Sequence, residues 1–112
     1  MITDLSDSDL FKTSSYVGGE WMPDSPDRLA VTNPATGDVI TEVTTIDASG
    51  TTRAIAVAHD AMQSWREVPA KARAQVLRRW FDLMMAHQED LAIIMTTEQG
   101  KALAESRGEV AY

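Results

Sequence analysis

Apolar and polar positions change rhythm near the middle of the chain. Up to about residue 46 the apolar residues come in short runs, such as Tyr16-Val17, Trp21-Met22 and Val39-Ile40, set among Gly, Pro, Asp, Ser and Thr. Strand formers alternating with turn formers predict short β segments. The Gly18-Gly19 pair between Tyr16-Val17 and Glu20-Trp21-Met22 supplies the positive φ angles of a primed hairpin turn, so a small hairpin is expected there. Pro23 and Pro26 remove two ladder donors and mark Met22 to Arg28 as a loop. A second extended pair, Leu29 to Thr32 and Val39 to Thr44, is joined by a turn over residues 33–38, where Pro34 presets the bend and Gly37 permits its left-handed corner.

From Asp47 onward the sequence is rich in Ala, Leu, Met, Arg and Glu, and the apolar period lengthens to that of a helix. Asp47 or Ser49 is the expected N-cap of a first helix, with Ile55, Ala58, Met62 and Trp65 on one face. Pro69 suits the first residue of a second helix, in which Val76, Leu77, Trp80, Phe81 and Met84 form an apolar stripe opposite Lys71, Arg78 and Asp82. The polar run His87 to Asp90 interrupts that stripe. Its acidic pair fits the first turn of a third helix that carries Leu91, Ile94 and Met95 and is capped by Gly100. A fourth helix is expected from Ala102 to Tyr112, with no Gly or Pro stop after it, as in a sequence that continues. Helical stripes of this kind are usually core, so Trp65, Trp80, Phe81, Met84 and Met85 are expected inside. The resulting fold class is an α+β segment, two small β pairs followed by antiparallel helices.

Bulk properties narrow the function. With 112 residues, 44% of them hydrophobic, the chain forms at most one folding unit or part of one. A net charge of -7 repels phosphate backbones and anionic bilayers, which argues against nucleic-acid and membrane partners. No Cys is present, so these residues hold no disulfide, thiolate metal site or sulfur nucleophile. Asp4, Asp7 and Asp9 near the amino terminus are the reverse of a secretory signal, and no apolar run approaches the ~20 residues of a membrane span. The expected compartment is the cytoplasm.

Individual residues add little chemistry of their own. His59 and His87 fall on different helices without a ligand at helical spacing, and read as surface or boundary residues. Glu105 and Glu109 lie one turn apart, an arrangement that more often faces solvent than shares a cation or a proton. Arg73, Arg78, Arg79 and Arg107 are expected on solvated faces. The glycines make no phosphate-cradling spacing, with Lys101 after Gly100 only superficially like one, and Ser14 and Ser15 have no base beside them.

Three stretches taken in order go further. Tyr16 to Met22 (YVGGEWM), Thr32 to Ile40 (TNPATGDVI), and Arg73 to Met85 (RAQVLRRWFDLMM) with Met95 to Lys101 (MTTEQGK) resemble the opening of the aldehyde dehydrogenase superfamily. Within it, Trp80 to Met85, Glu98 to Glu105 and Arg107 to Tyr112 are most similar to succinate-semialdehyde dehydrogenases of bacterial type, and Ser8 to Phe11 resembles their leader. Ala102 departs from the Pro that the family usually carries after the Lys.

The resemblance implies that residues 1–15 are a leader segment. Residues 16–112 would then be the incomplete amino-terminal part of an α/β NAD(P)-binding domain in a parent several times longer. Family chemistry is oxidation of an aldehyde by a Cys thiolate, with hydride passing to NADP or NAD and a Glu-activated water releasing the acid. The resemblance places those groups beyond Tyr112, so it assigns no catalytic or cofactor-binding residue here, and this chain alone is expected to be inactive and to bind no dinucleotide. It does imply a monovalent-cation site at the carbonyls of Val31 and Thr32 and the carboxylate of Glu98, oxygen donors that suit a hard cation. The implied partners are the remainder of the same polypeptide and, at full length, further copies of it. One rival reading is a free-standing, non-enzymatic helical interaction module derived from such an enzyme, marked by an exposed apolar face, and another is a fragment of a different aldehyde dehydrogenase subfamily.

Overall fold

In the computed structural model, which describes residues 2–22 and 27–112, strand β1 (Tyr16–Val17) pairs antiparallel with β2 (Glu20–Trp21) across the two glycines. Gly18 and Gly19 have φ of 66° and 88°, the left-handed pair that a two-residue primed turn needs and that side chains resist. The loop expected around Pro23 and Pro26 lies outside the described residues. Strand β3 (Arg28–Thr32) pairs antiparallel with β4 (Val39–Thr44), within one residue of the expected boundaries. Their register slips between Val31 and Thr32, which face Thr41 and Val39, so a bulge bends the end of the ladder. The connecting turn closes locally: Asn33 Oδ1 accepts the Ala35 N–H at 2.9 Å, and the Asn33 carbonyl accepts that of Gly37 at 2.8 Å.

Four helices follow: α1 (Ala48–Trp65), α2 (Ala70–Ala86), α3 (Gln88–Gln99) and α4 (Leu103–Ala111). Of the two candidate caps of α1, Asp47 takes the role, accepting the Gly50 N–H at 2.7 Å and the Ser49 hydroxyl at 2.8 Å. The Pro69 expectation needs a one-residue correction. With ψ at 140° it stands just outside α2, and its carbonyl, accepting the Ala72 and Arg73 amides, opens the helix. The same holds for Ala102, which caps α4 at ψ 140°. Gly100 ends α3 as expected, at φ 82° with its N–H on the Thr96 carbonyl.

The buried residues among those described gather where α3 and α4 fold back on each other: Ala92, Val110, Ser106 and Asp90, with Thr44 of β4 apart from them. The expectation that the aromatic stripe is core is corrected. Trp80 is 63% exposed, Phe81 40% and Trp65 37%, while Met84 and Met85 are half-buried, because among the described residues no element lies over that face of α1 and α2. Two global quantities agree. The radius of gyration is 16.6 Å, against about 13 Å for a compact domain of this size. The accessible surface is 8164 Å², against roughly 6,000 Å² for a closed monomer of this length.

Candidate functional site

The best-organised polar cluster sits at the amino-terminal end of α3. Asp90 lies in the first turn of α3, where the helix dipole favours an anion, and is only 4% exposed. Its Oδ1 accepts the Ser6 N–H and its Oδ2 the Asp7 N–H, each at 2.9 Å. The Ser6 amide, against the opposing pull of burial and helped by the Asp7 amide and His87, holds the carboxyl below its ordinary range.

Beside it, Glu89 takes a two-point bond from Arg107 of α4, Nε to Oε2 and Nη2 to Oε1, both 2.7 Å. That hydrogen bond lowers the Glu89 carboxyl and raises the Arg107 guanidinium. Gln88 Nε2 donates to the Arg107 carbonyl at 2.9 Å, so both ends of that residue are tied to α3. Arg107 lies on the exposed face expected for it, and there it is firmly paired. Deeper along the same contact, the hydroxyls of Thr96 and Ser106 meet at 2.8 Å. Lys101 pairs with Glu109, so Glu109 is committed to that ammonium and not to a cation shared with Glu105. Arg78 pairs with Asp82 at 3.2 Å on the outside of α2. His59 is exposed, whereas His87 is half-buried at the joint between α2 and α3.

Val31 and Thr32 occupy the last two positions of β3, and Glu98 the exposed last turn of α3. One contact brings these segments side by side: a Cβ on Gly100 would stand 2.7 Å from Pro34 Cγ, so the end of α3 rests on the turn after β3. Among the described residues no group of three or more His, Cys, Asp or Glu is placed to hold a metal ion. No described helix is long and apolar enough to cross a membrane.

Sequence reading missed the Asp90 clasp and the Glu89–Arg107 fork. The acidic pair was legible as a helix-start signal, but its partners stand 84 and 18 residues away, at distances that no local pattern encodes.

Residues 21–112 match the family model described as aldehyde dehydrogenase family, and the chain belongs to that family. Its two hairpins and four helices correspond to the amino-terminal segment of such an enzyme. Among curated relatives it is similar to glutarate-semialdehyde dehydrogenase of Pseudomonas putida, with 50% identity over 109 residues, 96% of this chain and 23% of that protein. It is similar also to the NADP(+) succinate-semialdehyde dehydrogenase of Escherichia coli, with 48% identity over 109 residues and the same coverage of 96% and 23%. Among solved structures it matches succinate-semialdehyde dehydrogenase from Burkholderia pseudomallei at TM-score 0.92 and 48% identity, covering 97% of this chain and 23% of that one. The chain thus spans 23% of the length of these relatives.

Proposed function

We propose that these residues are the amino-terminal part of an NAD(P)-dependent semialdehyde dehydrogenase that oxidises succinate semialdehyde to succinate. In that reading residues 1–15 are its leader and 16–112 the front of its NAD(P)-binding domain. The observation that carries it is a pair of facts: nearly all of this chain aligns with under a quarter of each relative, and the α1–α2 face is left uncovered. A surface roughly 2,000 Å² larger than a closed monomer's is the size of a substantial interface. The remainder of the polypeptide is the proposed cover, and these residues act as scaffold beneath it. The parent is further proposed to be cytoplasmic and homo-oligomeric.

The residues present do not by themselves fit a nicotinamide dinucleotide. Each sheet has two antiparallel strands, the glycines lie outside any phosphate-binding spacing, and no thiol is available to attack a carbonyl. The cofactor, NADP or NAD, and the chemistry belong to other parts of the proposed parent. Val31, Thr32 and Glu98 are proposed to supply two carbonyls and a carboxylate to a monovalent cation completed by ligands from elsewhere. In the full-length protein, K⁺ in place of a bulky quaternary ammonium should raise the melting temperature, and Glu98→Gln should abolish that difference; an unchanged difference removes the site.

Reading the gene past the codon for Tyr112 is the direct test: an in-frame continuation containing a Cys is expected. The full-length protein should then reduce NADP or NAD with succinate semialdehyde at a higher kcat/KM than with the one-carbon-longer glutarate semialdehyde. The reverse order reassigns the substrate, and no turnover with either removes the assignment. The interaction-module reading draws on the same exposed face of Leu77 and Trp80 and calls for a stop codon after Tyr112 and a cooperatively melting isolated chain.

A further inference from the structure

The amino-terminal residues run back across the helices to a point far along the sequence. The 3-10 turn Ile2–Asp4 lies against α3, and Ile2, Leu5, Leu10 and Phe11 are half-buried. A second 3-10 turn, Ser8–Leu10, is closed by its own cap, with Asp7 Oδ1 accepting the Asp9 N–H at 3.0 Å. Farther on, the Thr13 carbonyl accepts the Thr44 N–H at 2.9 Å, which ties the chain down again at β4. Between these two ties, a carboxylate takes two consecutive backbone amides, the only donors that Ser6 and Asp7 have on the main chain. A hollow of about 290 Å³ lies beside this crossing, lined by Ser6, Asp7, Ala86, His87, Glu89 and Asp90, so the segment is not sealed into the helices there.

We infer that residues 2–11 form a strap that opens and closes over α3 as a unit, with the Asp90 carboxylate as its clasp and the Thr13–Thr44 bond as its hinge-side limit. Local units held by few buried contacts open well below the global unfolding free energy. Replacing one carboxylate oxygen by an amide nitrogen leaves one backbone donor facing another donor and removes the charge from the second bond, whereas the bonds within α3 and between α3 and α4 are untouched. Asp90 acts here by holding another segment in place and touches no reacting group.

The test is hydrogen exchange with limited proteolysis on the full natural polypeptide that carries these residues, and it needs no activity. In the unaltered protein the Ser6 and Asp7 amides should exchange at least about tenfold faster than those of Leu91 to Ile94, yet slower than in a free peptide. Exchange in step with α3 overturns the strap. Asp90→Asn, which turns one acceptor into a donor, should speed cleavage between Leu5 and Lys12 about tenfold, with protection of α3 and α4 unchanged and the effect ending at Thr13. Ser6→Pro, which deletes one of the two donors and leaves Asp90 in place, should act in the same direction. No change in either variant, or a loss of protection that spreads through α3 and α4, overturns the clasp. Because the readout is independent of substrate and cofactor, failure of the enzyme assignment leaves this result standing, and the converse also holds.

Discussion

The Asp90 carboxylate and the Glu89–Arg107 fork both favour the ionised acid, which fixes the sign of their pH dependence. Each carboxyl titrates lower in the folded chain than in the unfolded one, Asp90 chiefly through the Ser6 amide and Glu89 chiefly through the Arg107 side chain. Their contribution is therefore full above the ordinary carboxylate range, at about pH 5 and higher, and is lost as acid drives the pH down through the lowered values. Exchange of the Ser6 and Asp7 amides, corrected for its intrinsic pH dependence and followed from pH 7 to pH 3, should quicken in the unaltered protein and stay flat in Asp90→Asn, which has already given up that contribution. No quickening in the unaltered protein would mean the two amides do not depend on the charge. Gly100 gives a second expectation at this scale. Its φ of 82° and its 2.7 Å approach to Pro34 leave no place for a side chain. Gly100→Ala should cost about 1–2 kcal/mol from the left-handed backbone alone, with the Pro34 contact adding to it, read as a lower denaturant midpoint. The need for Gly at the helix end was legible in the sequence; the proline against it was not, because the contact spans 66 positions (100 minus 34).

Helix α1 shows what local signals reach and where they stop. Asp47 satisfies an amide that would otherwise face the solvent alone, a relation spelled out within four residues. Asp47→Ala should lower the helix content of α1 and its amide protection while α3 and α4 stay protected; uniform loss across all helices would deny the cap a local role. The contact between α3 and α4 behaves differently. Ser106 is fully buried and shares a hydroxyl bond with Thr96, and Ala92 is fully buried nearby in α3. Ser106→Ala should cost about 1 kcal/mol for the lost bond, and Ala92→Leu about 1–3 kcal/mol for overpacking, each measured by chemical denaturation of the full-length protein. Elements were readable because hairpin glycines, caps and helical periodicity act over a few residues. Packing partners were not: the stripe Val76, Leu77, Trp80, Phe81 announces a buried face, yet it stays exposed among the described residues.

At the scale of the whole molecule, the uncovered face sets the behaviour of the chain on its own. With Leu77 and Trp80 more than half exposed, the isolated 112-residue chain should self-associate or unfold non-cooperatively, seen as concentration-dependent light scattering and a broad thermal transition. A sharp, concentration-independent transition would instead favour the free-standing module. The proposed cation set shows the same limit: the sequence names Val31, Thr32 and Glu98 one by one, whereas the contact between Gly100, two residues after Glu98, and Pro34, two residues after Thr32, is a matter of folding.

Ser6 and Asp90 are 84 residues apart, which matters while the protein is being made. At ~5–20 residues per second, a ribosome needs roughly 4 to 17 seconds to deliver the clasp after its partner has emerged. Throughout that interval Ile2, Leu5 and Leu10 have no docking surface, and the aspartates at 4, 7 and 9 that interleave them supply the repulsion that keeps nascent chains apart.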